Sequence, residues 1–141
     1  MENQITLQVG VKALLKNKEG QYLLLRRSLE KYPGIQGRWD IVGGRIDPGS
    51  ELIENLKREI KEETGLNLVG APTLVGAQDI LRPGKHVVRL TYIGEVEGEI
   101  VLDESENDQY KWYVWEEILK IDDLDMYFKE LLSDLVKVIQ K

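Results

Sequence analysis

The chain contains no cysteine, a single histidine (His86), one phenylalanine and four prolines in 141 residues. Without cysteine there can be no disulfide, no thiolate nucleophile and no cysteine-type structural zinc site. One histidine excludes a multi-histidine metal centre, so a bound metal would be held mainly by oxygen, which points to magnesium or manganese rather than zinc. An excess of positive charge is missing too. The formal net charge is -6, and a general nucleic-acid binder would need a basic surface to displace counterions from phosphates. No apolar run approaches the length of a membrane span. Met1 to Gly10 lacks the basic start and apolar stretch of a secretory signal. The expectation is one cytoplasmic domain over 1-141, with no membrane or nucleic-acid partner. A Gly-x-x-x-x-Gly-Lys-Ser/Thr phosphate loop is also absent, which excludes a P-loop nucleotidase.

What is present is ordinary for a globular protein: 42% hydrophobic and 31% charged residues. Ile5 to Leu15 and Gln21 to Arg27, joined by a turn over Lys16 to Gly20, suggest a β-hairpin. Ser28 to Arg38, with Pro33, Gly34 and Gly37, is expected as a loop, and Trp39 to Val42 as a short strand ending at Gly43-Gly44. Further strands are expected at Pro72 to Leu81, Lys85 to Val96, Lys111 to Trp115 and a short one at Glu99 to Leu102. Asp103 to Gln109 is expected as an acidic loop and Glu116 to Lys120 as a helical turn. Leu124, Phe128, Leu131, Leu132, Leu135, Val138 and Ile139 share one face of a C-terminal amphipathic helix. Strands, helix, strands, helix in that order predict an α+β fold, an α/β/α sandwich around a mixed β-sheet.

The clearest helix spans Glu51 to Thr64, with Gly65 at the expected left-handed C-cap. Leu52, Ile53, Leu56 and Ile60 define its buried stripe. Glu59, Glu62 and Glu63 are spaced i, i+3 and i+4 and form one cluster overlapping the edge of that stripe. Glu63 continues the line of Leu52 and Leu56, where a purely structural helix would carry an apolar residue. Three neighbouring negative charges near a helix C-terminus repel one another and oppose the helix dipole. Burying any of them is costly unless a cation meets it. Solvated glutamates paired with Arg58 and Lys61 explain the same pattern equally well, so the helix alone leaves both readings open.

The residues around the helix extend the pattern. Gly44-Arg45-Ile46-Asp47-Pro48-Gly49-Ser50 followed by Arg58-Glu59-Ile60-Lys61-Glu62-Glu63-Thr64-Gly65-Leu66 resembles the box of the Nudix hydrolase family, MutT-like, with Ser50 in place of the first glutamate and Glu51 beside it. The match covers Gly44 to Leu66. Leu24-Leu25-Arg26-Arg27, the Gly37-Arg38-Trp39 approach to Gly43-Gly44, and Glu106 ahead of Tyr110-Lys111-Trp112 resemble family features outside the box.

The resemblance implies metal-dependent hydrolysis of a diphosphate bond in a nucleoside diphosphate-linked or nucleoside triphosphate substrate. Magnesium, or manganese, would be held by Glu59, Glu62, Glu63 and the Gly43 carbonyl. Glu59 or Glu62 would share in activating water. Glu106 would be a further ligand or general base, with Glu104 its rival, and Arg58 would orient the helix carboxylates, with Glu54 or Glu51 replacing the partner missing at Ser50. Arg26, Arg27 and Arg45 are candidates for phosphate contact, and Trp39 for lining the substrate cleft, although packing accounts for each as well. Family habit adds a homodimer. The competing expectation is a Nudix-fold sensor that binds nucleotides without cleaving them, which the change at Ser50 favours and the complete Arg58 to Glu63 segment opposes.

Overall fold

The computed structural model describes residues 4–139, with side chains described through residue 136. Val138 and Ile139, expected on the apolar face of the last helix, therefore lie outside the described side chains, and the first three residues of the Met1 to Gly10 segment lie outside the described residues. The elements run β1 (Thr6–Lys16), β2 (Tyr22–Arg27), β3 (Trp39–Asp40), β4 (Val42–Arg45), α1 (Leu52–Thr64), β5 (Asn67–Arg82), β6 (Lys85–Glu97), β7 (Asn107–Tyr113), α2 (Trp115–Ile118) and α3 (Met126–Ile139).

The strands form one mixed sheet in the order β3-β2-β1-β6-β5, with β4 also paired to β1 and β7 to β2. β1 and β6 are parallel along their whole length, from Thr6 opposite Lys85 to Lys16 opposite Glu95, and the remaining pairs are antiparallel. The other edge of β1 is divided. Gly10 to Ala13 pair with β4, whereas only Leu15 and Lys16 pair with β2. The expected hairpin is thus reduced to its closing pairs, because β4 takes the hydrogen-bonding groups of β1 that β2 would otherwise use.

Alternation along β1 and β2 divides the core in two. Val11, Ala13, Leu15, Leu23 and Leu25 pack with Leu56 and Ile60 of α1. Leu14 and Leu24 pack on the other side with Phe128, Leu131, Leu132 and Leu135 of α3. Leu56 and Ile60 are completely buried, and removing each from water contributes about 1.5–3 kcal/mol. Gly65 ends α1 at φ 75° and returns its N–H to the Lys61 carbonyl, the expected left-handed cap.

Several expected boundaries shift. Gly43-Gly44 is not a strand exit; both glycines lie within β4, opposite Lys12 and Val11. β5 begins at Asn67 rather than Pro72, with irregular register on either side of Thr73. β7 begins at Asn107, inside the segment expected as a loop, and Trp115 opens α2 instead of closing the strand. Glu99 to Leu102 forms no strand. The chain there donates Val101 N–H to the Thr64 carbonyl and Asp103 N–H to the Glu63 carbonyl. It satisfies carbonyls of the last turn of α1, and those bonds replace strand pairing.

Candidate active site

A cleft of about 410 Å³ collects residues from β1, β2, β4, α1, β5, β6 and the start of α3. Its lining carries the carboxylates Asp40, Glu63, Glu106 and Asp125 together with five cations, Lys12, Arg27, Arg45, Arg82 and Arg89, of which Arg45 and Arg82 have no carboxylate partner among the described residues. In a chain of net charge -6, that concentration of positive side chains makes the cleft suited to an anionic ligand.

Helix α1 reaches the cleft at its C-terminal end, and its apolar stripe is fixed against the sheet. The same stripe carries Glu63 inward. Its Oε2 accepts the Gly43 backbone N–H at 2.9 Å, and burial outweighs the nearby Lys12 ammonium to push its carboxyl up to about 7. Glu59 is 16% exposed at its side chain and is also shifted upward, chiefly by burial. Gly44 makes room for it: a Cβ there would stand 2.8 Å from Glu59 Oε2. Glu62 is the exposed member, 3.4 Å from Arg58. Gly43 has φ 146°, and a Cβ on it would lie 2.0 Å from the Val11 carbonyl oxygen. Only glycine fits between β1 and α1 at this point.

Arg58 does not turn to Glu51 or Glu54. It reaches Asp47 at 2.9 Å and Asn55 Oδ1 at 2.8 Å, with Glu59 at 3.6 Å. The wholly buried Asn55 accepts the Asp47 N–H at 3.0 Å, so it ties the segment before the helix to the helix itself. Asp47 supplies the negative partner that Ser50 cannot.

The arginine expectations separate. Arg27 lines the cleft and binds Asp40 at 2.9 Å, and Arg45 lines it while hydrogen bonding Gln8. Arg26 and Trp39, both expected to bind substrate, are not among the cleft-lining residues. Alternation along β2 turns Arg26 to the other face of the sheet from Leu25 and Arg27. There it pairs with Asp108 at 2.7 Å and lies 6.0 Å from the Trp39 ring, which packs edge-on against Tyr113. Glu106 is in the lining, held by Lys31 and by the Tyr32 hydroxyl at 2.6 Å; these two donors keep its carboxyl below the usual range. Its rival Glu104 is exposed and outside the cleft. His86 pairs with Asp79 at 2.7 Å, also outside the lining.

Sequence reasoning missed the ion cluster at the centre of the cleft. Asp40 is buried and accepts Lys12 at 3.0 Å, Arg27 at 2.9 Å and Arg89 at 3.1 Å. Burial alone would raise its pKa, but the charges of Lys12, Arg89 and Arg27 prevail and hold it at about 2. Arg89 also binds Asp125 at 3.0 Å, and Asp125 caps the start of α3 by accepting the N–H groups of Tyr127 and Phe128 at 3.1 Å. One buried network therefore ties four strands to a helix.

The donors present suit a hard divalent cation: they are all oxygen, Glu59 sits in the space left by Gly44, and Glu63 is a buried carboxyl that a cation would stabilise in its charged form. In their present rotamers, no three acidic or histidine side chains among the described residues converge into a ready cage. Glu62 is turned outward to Arg58.

A mixed sheet with a carboxylate-bearing helix across it and a second helix behind defines the class, the α/β/α sandwich of MutT-like proteins. The chain belongs to the Nudix family: the NUDIX domain model matches residues 6–135. The crystal structure of the MutT protein from Methanosarcina mazei Go1 superposes with a TM-score of 0.82 at 30% identity, covering 100% of both chains. The 8-oxo-dGDP phosphatase NUDT18 of Homo sapiens is 29% identical over 107 residues, 73% of this chain but 31% of that protein. A putative 8-oxo-dGTP diphosphatase of Bacillus subtilis is 32% identical over 104 residues, 73% of this chain and 64% of that one. The chain thus matches about a third of the human relative's length. No described helix is long and apolar enough to cross a membrane.

Proposed function

We propose that this protein hydrolyses a phosphoric anhydride bond in a nucleotide, with magnesium, or manganese, held by Glu59, Glu62, Glu63 and the Gly43 carbonyl. The observation that carries this reading is the meeting, in one cleft, of the largely buried Glu63 carboxylate of α1 with Lys12, Arg27, Arg45, Arg82 and Arg89, with Glu59 and Glu62 on the same helix just outside the lining. Carboxylates alone would repel a diphosphate; cations alone would bind it without activating water. When bound, the divalent ion would screen the phosphate charge and lower the pKa of water.

The protein's residues would divide the remaining work. Arg27 and Arg45 take phosphate oxygens through charge-assisted hydrogen bonds. Arg58, fixed by Asp47 and Asn55, orients Glu59 and Glu62. Glu106, kept ionised by Lys31 and Tyr32, accepts the proton of the attacking water as its oxygen bonds to phosphorus. The phosphorus–oxygen bond of the anhydride then breaks, and the leaving phosphate departs with the electron pair. Glu59 is the alternative proton acceptor.

The names of two relatives place nucleotides of oxidised guanine first on the panel to be tried. Incubation of 8-oxo-dGDP, 8-oxo-dGTP, ordinary nucleoside triphosphates and nucleotide sugars with magnesium, followed by separation of the products, tests the proposal. Release of a nucleoside monophosphate is expected, together with orthophosphate from a diphosphate, pyrophosphate from a triphosphate or a sugar phosphate from a nucleotide sugar. The sensor reading rests on Ser50, yet the contact of Arg58 with Asp47 favours an intact catalytic helix. Ligand-induced stabilisation without turnover anywhere on the panel would establish the sensor instead.

A further inference from the structure

The loop from Ser28 to Arg38 is fixed at both ends and has two side-chain attachments to Glu106 near its middle. At its start, Ser28 N–H binds the Glu106 carbonyl at 2.9 Å and Leu29 N–H binds Asp108 at 3.2 Å. At its end, Gly37 N–H binds Asp123 at 2.7 Å, and Arg38 binds the Arg27 carbonyl and Asp108, at 2.9 and 3.0 Å. Between these anchors, Lys31 and Tyr32 both reach Glu106, and they take different oxygens: Lys31 takes Oε1, and the Tyr32 hydroxyl donates to Oε2 at 2.6 Å. Tyr32 lines the cleft beside Glu106, whereas Lys31 stays outside it.

A glutamate on a connecting segment has freely turning side-chain torsions, and a general base must point at its water to be effective. Nothing on the segment of Glu106 itself restrains the carboxylate: its backbone N–H goes to Asp103 and its carbonyl to Ser28. Both restraints on the carboxylate come from the 28–38 loop. Each oxygen that accepts one donor keeps a second lone pair, so the grip orients the group without occupying it fully.

We propose that Tyr32, assisted by Lys31, is the positioning residue for Glu106, so that the 28–38 loop sets the aim of the base without touching the phosphates. The inference rests on Glu106 acting as proton acceptor, the role assigned to it above. Tyr32→Phe keeps the ring and its packing and removes only the hydroxyl that meets Oε2.

The test is a double-mutant cycle with Tyr32→Phe, Glu106→Gln and the pair, measured with magnesium on the nucleotide that the unaltered protein turns over fastest. Tyr32→Phe is expected to lower kcat about tenfold, the scale of a misaimed catalytic group, with KM changed less than about twofold and the melting temperature held. Lys31→Gln is expected to show a smaller loss of kcat with the same unchanged KM. The double variant should be no slower than Glu106→Gln alone. A Tyr32→Phe protein with normal kcat, a change confined to KM, or losses that add in the pair would overturn the positioning role. If Glu106→Gln itself keeps full kcat, the assignment of the base is wrong, and that failure is told apart because it does not involve Tyr32.

Discussion

Glu63 Oε2 and the Gly43 backbone N–H are joined at 2.9 Å, so the helix that carries the acidic cluster is bonded directly to β4. Gly43 is squeezed between that carboxylate and β1, and its geometry admits no side chain. Gly43→Ala is expected to lower stability by about 2–4 kcal/mol, from backbone strain combined with the clash against Val11. Urea denaturation checks this: the midpoint should fall with the slope unchanged. Gly49, with open space around it, should tolerate alanine better.

The raised pKa of Glu63 makes stability depend on pH. Its folded value of about 7 lies above the 4.5 of the exposed group, so the folded state holds the proton more tightly than the unfolded chain. The stabilisation is complete below pH 4.5 and is lost as pH rises through about 7, amounting to roughly 3 kcal/mol at most. In metal-free buffer, the melting temperature should therefore decline between these values. Glu63→Gln should flatten the decline. Magnesium should offset it, because a cation favours the ionised form that prevails above pH 7.

Asp40 predicts the opposite pH behaviour. It is held at about 2, so its contribution is present above the usual carboxylate range and is lost as pH falls toward 2. Asp40→Asn leaves Lys12, Arg27 and Arg89 without the anion they share. The expected destabilisation is about 3–5 kcal/mol, since removing one partner exposes uncompensated buried charge. Thermal unfolding at pH 7 tests it, and a loss under 1 kcal/mol would show the cluster to be solvated.

Two arginines on opposite faces of the sheet separate binding from packing. Arg45→Ala should raise KM about tenfold, as a lost charge-assisted contact does, with little change in melting temperature because the residue is exposed. Arg26→Ala should leave KM unchanged, since its guanidinium meets Asp108 on the far face of the sheet. Steady-state kinetics on both variants decides the matter.

The parts of this architecture that local chemistry governs could be read from the chain. The helical period of Leu52, Leu56 and Ile60 and the glycine at 65 place α1 correctly because helix stripes and caps are local signals. The same wheel puts Glu63 in line with Leu52 and Leu56 but leaves its burial open, which the bond to Gly43 decides. The central ion cluster was invisible because Asp40 and Arg89 are 49 positions apart, and Arg89 and Asp125 are 36 apart. Lys12 and Arg89 lie on separate strands, and only the tertiary fold brings them onto one carboxylate. β7 was misplaced for a different reason. Asp108, Gln109, Tyr110 and Lys111 are all exposed, so its first half lacks the alternation that marks a half-buried strand, and its pairing with β2 alone defines it. Glu99 to Leu102 has apolar residues suited to a strand, but its amides are taken by carbonyls at the end of α1.

The most direct test of the account is a crystal structure of the protein soaked in magnesium. An octahedral ion about 2.0–2.1 Å from Glu59, Glu63 and the Gly43 carbonyl, with Glu62 rotated away from Arg58 to join it, is the predicted result. Strong density for an ion anywhere else, or these glutamates unmoved and without an ion at saturating magnesium, would contradict it.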